Sequence, residues 1–426
     1  MLRQLRLTLA ALLIFSASLR ALPAEKPSVS EVDRSTLTGK VACGYQGWFA
    51  AEEDGSGRGW THYEKGGRFH PGCCSIDLWP DVSELDDDEK FATPFRHRDG
   101  SAAYVFSSFR RKTVVRHFSW MKQYGIDTAV VQRFAVQVGG NPRNLRFVNT
   151  VLAHCREGAN RHGRAFMVMY DLSGMRRGQM QTVVNDWKRL VDRMQLTKDR
   201  AYQRHRGRPV VAVWGIGFND GRDYTLDECA RLIEFLKDDP RYGDNTVLLG
   251  IPTGWRTFTR DSVRDKRLHA VLRKADILSP WTIGRFGTLD GAARHAKESW
   301  APDMAWCREN NLEYMPVVFP GFSWHNLMRD TRRRAPLDQI PRLGGRFLWK
   351  QYVEAKAAGA TMIYQAMFDE IDEGTAIFKC TNDPPVGDSP FLTYEGLPPD
   401  HYLRLVGQGG RLLRGEIEPS QEIPGR

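Results

Sequence analysis

The chain has 426 residues, 41% of them hydrophobic and 26% charged, enough apolar material to bury a large core and too much for a disordered or fibrous protein. Lys and Arg outnumber Asp and Glu by 61 to 51, a formal net charge of +10 that falls to +7 once Arg3, Arg6 and Arg20 of the first segment are set aside. That modest excess, spread over a body rich in both signs and joined by no nucleic-acid motif, excludes a dedicated nucleic-acid binder.

The N-terminal residues carry Arg3 and Arg6, then an apolar stretch from Leu7 to Ala17, then Leu22-Pro23-Ala24 before polar Glu25-Lys26-Pro27. This layout, too short to span a bilayer, predicts a secretory signal peptide over 1–24 and a secreted or periplasmic protein. Residues 25–38 read as a linker, and no later segment is apolar enough for a membrane span.

From Val41 onward, strand-length apolar runs alternate with helix-length amphipathic ones. The runs are Val41 to Phe49, Thr128 to Phe134, Ala165 to Leu172, Pro209 to Ile216, Val247 to Ile251, Ile277 to Ile283, Tyr314 to Phe319 and Thr361 to Phe368. They are mostly continuous, as parallel strands buried on both faces require. Helical patterns lie between them at Val114 to Tyr124, Leu145 to Ala159, Thr182 to Met194, Leu226 to Lys237, Arg264 to Lys274, Ala292 to Asn310 and Phe347 to Ala358. Thr225 with Glu228 three residues on predicts a capping box. Eight strands alternating with helices predict an α/β fold, a (β/α)8 TIM barrel over 39–414, closed by a helix near Asp400 to Val406 and followed by a loose tail over 415–426. The stretch Ala50 to Lys112, long and rich in Gly, Asp and aromatics, reads as a loop insertion after the first strand that covers the C-terminal mouth.

The most informative segment closes the eighth run: Met367-Phe368-Asp369-Glu370-Ile371-Asp372-Glu373-Gly374-Thr375 holds four carboxylates in five residues. Two carboxylates held close cannot keep equal pKa values, so one serves as a general acid while the other stays ionised. Glycosidic cleavage requires that division. Such an acidic run also suits a solvated loop or a calcium-binding turn. Its place at a barrel mouth favours catalysis, because the other strand ends carry Asp171, Tyr45, Trp48, Arg133, Trp214, Trp281, Arg285, Phe322, Trp324 and His325. Aromatic faces cover the C–H faces of a sugar while polar groups fix its hydroxyls. The candidate site is therefore Glu370 and Glu373 for catalysis, with Asp171, Trp48, Tyr45, Arg133, Trp214, Trp281, Trp324 and His325 for substrate.

The seven cysteines show no CxxC or His spacing suited to zinc, and HExxH, Walker A and GxGxxG motifs are lacking, so no metal or cofactor is expected. An odd count leaves at least one thiol outside any disulfide within the chain. The basic run Arg329 to Arg334 reads as a solvated loop.

The segments Cys43-Gly44-Tyr45-Gln46-Gly47-Trp48-Phe49, Val317-Val318-Phe319-Pro320-Gly321-Phe322 and Phe368 to Thr375, with the ending Tyr394-Glu395-Gly396-Leu397-Pro398, resemble the glycoside hydrolase 71/99-like group, related to endo-α-mannosidases. The resemblance runs from about Lys40 to Arg414. It implies a glycoside hydrolase acting on an oligosaccharide or polysaccharide, with Glu370 as the base that assists the sugar 2-hydroxyl and Glu373 as acid/base, and retention through an anhydro-sugar intermediate. An aromatic and a histidine stand between that group's two glutamates, where this chain has Ile371 and Asp372. A xylosidase/arabinosidase-type pentosidase and a non-catalytic carbohydrate-binding barrel are the alternatives.

Overall fold

A computed structural model describes residues 31–329 and 331–424. The expected signal peptide and the first part of the linker lie outside the described residues.

The barrel strands are Val41–Tyr45, Thr128–Phe134, Ala165–Asp171, Arg208–Trp214, Thr246–Ile251 and Ile277–Pro280, followed by the short pieces Glu313–Tyr314 and Val317–Val318, and by Ile363–Gln365. All these pairings are parallel, and each strand pairs with the next in sequence. Closure comes at the two short pieces. Glu313–Tyr314 pairs with Ile277–Pro280, Val317–Val318 pairs with Ile363–Gln365, and Ile363–Gln365 pairs back onto Val41–Tyr45. Between the pieces, Met315 N–H donates to Leu278 and the Pro316 carbonyl accepts from Tyr364 N–H, so the ladder continues where Pro316 has no N–H to give. The two pieces occupy one strand position, the seventh of an eight-position barrel, with Ile363–Gln365 as the eighth strand.

The expected helices form at their expected places. Thr225 Oγ1 accepts from Glu228 N–H at 3.2 Å while Thr225 N–H donates to the Glu228 carboxylate at 2.8 Å, the reciprocal box expected from sequence. Pro302 interrupts the hydrogen bonding of the long helix before the seventh strand, and the chain passes it through a π turn, Ala296–Trp300, between Leu289–His295 and Ala301–Glu309. The last helix, His401–Arg414, is longer than expected. Its glycines, poor helix formers in isolation, are contact positions: a Cβ on Gly407 would lie 2.0 Å from the Tyr124 carbonyl oxygen.

The described part of the expected linker is not free. Val32 N–H bonds the Gly163 carbonyl, and buried Leu37 donates its N–H to His205 Nδ1 at 3.1 Å. The expected loose tail is also tied: Trp349 Nε1 donates to the Ser420 carbonyl at 2.8 Å, and Ile423 is buried. Apolar residues spaced among polar ones gave both segments a solvated look that packing overrides.

After the first strand the chain runs to the helix Arg111–Tyr124 through loops, a short 3-10 turn and the antiparallel hairpin Phe91–Arg96 with Ala102–Val105. This segment meets the loops after the seventh and eighth strands. Buried Asp77 accepts from Ser323 Oγ at 2.5 Å and from the backbone of His325 at 2.6 Å and Asn326 at 2.8 Å. Leu78 and Pro80 form bridges with Leu392 and Cys380. All seven cysteines are buried free thiols. Among the described residues no helix is long and apolar enough to cross a membrane.

Candidate active site

Side chains of a barrel strand alternate between the interior and the helix layer, and this parity sorts the strand-end residues. On the second strand Gln132 and Phe134 face the mouth, whereas Arg133 turns outward. On the third, Met169 and Asp171 face the mouth, and Tyr170 turns outward. The inward set, with Gln46, Trp48, Ser173, Trp214, Trp281, Met367, Glu370 and Glu373, lines a cavity of about 200 Å³.

Of the sequence-predicted site residues, the cavity brings together Glu370, Glu373, Asp171, Trp48, Trp214 and Trp281. Four others lie elsewhere. Tyr45 is fully buried on the helix side, its hydroxyl 2.9 Å from His117 Nδ1. Arg133 is fully buried in a two-pronged pair with Asp186, Nε and Nη2 each donating at 2.8 Å, and Tyr170 adds its hydroxyl to the same carboxylate at 2.9 Å. Burial raises Asp186, but the Arg133 charge and hydrogen bonds outweigh it and hold the carboxyl below its ordinary value. Trp324 packs on Phe322 at 5.0 Å, and His325 uses Nδ1 on the Ala335 carbonyl at 2.8 Å, in the staple around Asp77. Gln46, Gln132, Phe134, Met169, Ser173 and Met367 line the cavity without having been singled out from the sequence.

The acid loop is built by backbone bonds from all sides. Phe368 N–H donates to the Gly44 carbonyl at 2.7 Å, Ser323 N–H to the Glu373 carbonyl at 2.9 Å, and Asp77 N–H to the Ile371 carbonyl at 2.9 Å. Gly374 sits at φ +63°, and a Cβ there would lie 2.8 Å from Ser323 N, so only glycine fits the turn after Glu373. Buried Arg342 donates Nη2 to the carbonyls of Gly374 at 2.8 Å and Ala376 at 2.7 Å, and its guanidinium stands 5.0 Å from the Tyr394 ring and 4.5 Å from the Tyr402 ring.

The four acids of the loop differ in their partners. Asp369 accepts from the backbone N–H of Gln46 at 2.7 Å and Gly47 at 2.8 Å, locking the loop to the first strand end. Burial nevertheless lifts it to about 7. Glu370 accepts from Gln46 Nε2 and Thr375 Oγ1, each at 2.5 Å; burial first and Asp372 second push it up to about 8 against those bonds. Glu373, half-buried at the cavity, has no side-chain hydrogen bond among the described residues. Burial, then Glu370, Asp372 and Asp171, raise it well above the ordinary glutamate value. Asp171 is held by Ser173 N–H at 2.7 Å and is raised by burial.

The aromatic wall has two parts. Trp48 stacks on His62 at 3.8 Å and lies 5.4 Å from Phe134; Trp281 meets Trp214 edge-on at 5.7 Å. Arg222 lies 4.9 Å from the Trp214 ring, tied to Asp220 by two bonds of 2.9 Å. Among the described residues, no Lys, Arg or His lines the cavity.

Two other features lack this combination. A groove of about 610 Å³ outside the barrel is lined by Arg110, Arg111, Lys112 and Arg116, but Arg111 is paired with Glu157, and Lys112 and Arg116 with Asp86 and its neighbours. Those same cations occupy Asp86, Asp88 and Glu89, whose spacing alone would suit a metal ion.

No family model matches the chain, and no curated protein matches its sequence. Solved structures do. The chain is similar to the GH99 endo-alpha-mannosidase from Bacteroides thetaiotaomicron at a TM-score of 0.62 and 18% identity, over 89% of this chain and 99% of that one. The same enzyme in complex with BIS-TRIS-Propane gives a TM-score of 0.62 at 15% identity, with the same coverage. A glycoside hydrolase-like protein matches at 0.52 and 12% identity, over 90% of this chain and 97% of that one. The likeness is one of fold. At these identities it establishes the TIM barrel over nearly the whole chain and leaves the chemistry to the residues described above.

Proposed function

We propose that the protein is an exported glycoside hydrolase that cleaves an O-glycosidic bond of an oligosaccharide or polysaccharide with Glu370 and Glu373. The observation that carries this reading is the unequal treatment of two glutamates facing one aromatic-walled cavity. Glu370 accepts two short hydrogen bonds, which favour its ionised form against the burial that lifts it to about 8, while Glu373 accepts none among the described residues and is raised well above the ordinary glutamate value. Glu373 is then the acid that protonates the leaving oxygen, and afterwards, as a carboxylate, the base that takes a proton from water. Glu370 is the base that draws the proton from the sugar 2-hydroxyl. Trp214 and Trp281 offer apolar surface to the ring, and Asp171 an acceptor for a hydroxyl. The endo-alpha-mannosidase of similar fold supports an α-linked glycan as the first substrate class to try.

A panel of α- and β-linked glycans, assayed for product and for binding side by side, tests the reading. Glu373→Gln should lower turnover about 10²–10⁴-fold with folding intact. Glu370→Gln should abolish turnover yet keep glycan affinity, since the amide has nearly the size of the acid. Binding without hydrolysis by the unmodified protein would make it a carbohydrate-binding barrel and end the hydrolase reading.

A further inference from the structure

Asp372 belongs to the acid loop but does none of the work assigned above. It is 4% exposed, and its Oδ1 is buried without a hydrogen-bond partner. Its Oδ2 lies 3.5 Å from Nδ1 of His62. His62 comes from the insertion and is held there with some strain: it is a non-glycine residue at φ +67°, its carbonyl accepts from Ser75 Oγ at 2.5 Å, and its ring stacks on Trp48 of the cavity wall. The backbone N–H groups of Asp372 and Glu373 offset only part of its burial, and this buried carboxylate exerts its charge on Glu370 and Glu373.

The groups around it come from three parts of the chain. Asp369, Glu370 and Glu373 share its loop; Asp77 and His62 face it from the insertion; Asp171, at the end of the third strand, faces Glu373. Arg58 and Glu64 act on His62 rather than on Asp372. The one nearby imidazole is itself kept neutral, because burial, then Arg58, lowers His62 to about 3. The cluster is therefore acidic: Arg222 acts on Asp171, and among the described residues no Lys or Arg forms an ion pair with Asp372, Glu370 or Glu373.

Resting on the hydrolase reading above, we propose that Asp372 is a positioning residue for the acid pair: when ionised, it holds the proton on Glu373, and it thereby extends activity to higher pH. Asp372 lies between the two glutamates in sequence and is lifted by burial and then by Asp77, to about 7. A charge placed on Asp372 makes the Glu373 proton harder to remove.

The test is the pH–rate profile of kcat/KM for the full-length protein and for Asp372→Asn, Asp372→Ser and Asp372→Glu, with thermal melts to verify folding. Asn and Ser remove the charge, so the alkaline limb should move to lower pH by on the order of one unit; Glu keeps the charge and should leave the limb near its wild-type position. Carboxyl ¹³C NMR of glutamate-labelled protein follows the Glu373 proton without turnover and should show the same displacement. An active wild type whose alkaline limb and Glu373 titration are unmoved in both neutral variants overturns the role of Asp372 while leaving the hydrolase reading standing. A wild type inactive on every glycan ends the hydrolase reading, and the NMR titration then decides alone whether Asp372 governs the Glu373 proton.

Discussion

Gln46 shows how much a single neutral side chain contributes to this site. Its backbone N–H holds Asp369 and its side-chain amide holds Glu370, so one residue both fixes the loop and favours the ionised base. Gln46→Ala removes the amide donor from Glu370 but keeps the backbone bond. With its charged form less favoured, Glu370 should ionise at higher pH, and the acidic limb of kcat/KM should rise by about one unit. The effect at the low-pH edge is about a tenfold loss that shrinks toward the optimum. A uniform loss at all pH values would instead mean that Gln46 merely shapes the cavity. Sequence reasoning named its neighbours Tyr45 and Trp48 and passed over Gln46. A continuous apolar strand gives no alternating pattern from which to tell inside from outside, so the large aromatic and the charged residue drew attention: Tyr45 over Gln46, Arg133 over Gln132. Both favoured residues point into the helix layer, where size and charge are absorbed by His117 and Asp186. The acids themselves were legible because four carboxylates in five residues have few bland explanations at a barrel mouth.

At the scale of elements, the acid loop is held chiefly by its neighbours. Arg342, between two tyrosine rings, directs its hydrogen bonds to the carbonyls of Gly374 and Ala376. Arg342→Lys keeps the charge but loses the planar fork and most of the stacking. It should cost about 2–4 kcal/mol of stability and lower kcat more than it raises KM, because the displaced part is the turn that aims Glu373. Chemical denaturation together with steady-state kinetics measures both, and a destabilised variant with wild-type kcat would show that the clamp serves folding alone. The strands and helices themselves were readable almost throughout, since their lengths follow from the alternation of apolar and amphipathic segments. The glycine-bearing final helix came out too short and the segments flanking the barrel too free. In each case tertiary contact, such as that of Gly407 with Tyr124, outweighs local propensity.

For the whole molecule, the acid cluster sets a direction for stability. Asp369, Glu370 and Asp372 are lifted to about 7, 8 and 7, and Glu373 is raised well above the ordinary carboxylate range. Between about pH 4 and pH 8 the folded chain thus binds more protons than the unfolded chain, so stability is greatest with these carboxyls protonated and falls as pH rises. The melting temperature should drop by a few degrees or more from pH 5 to pH 8 at fixed ionic strength. Asp372→Asn and Glu370→Gln should flatten that slope and be more stable than wild type at pH 8, the usual trade between function and stability. A slope unchanged in both variants would place its origin elsewhere.

The seven thiols are spread along the chain, from Cys43 on the first strand to Cys380 after the acid loop, and every one is shielded. Alkylation therefore has to wait for the chain to breathe. Cys73 and Cys74 sit in the insertion, Cys155 and Cys229 in the helix layer, and Cys307 in the helix before the seventh strand. Each records the opening of a different district of the barrel. The order in which a small alkylating reagent marks them is a map, written in covalent bonds, of where this molecule comes apart first.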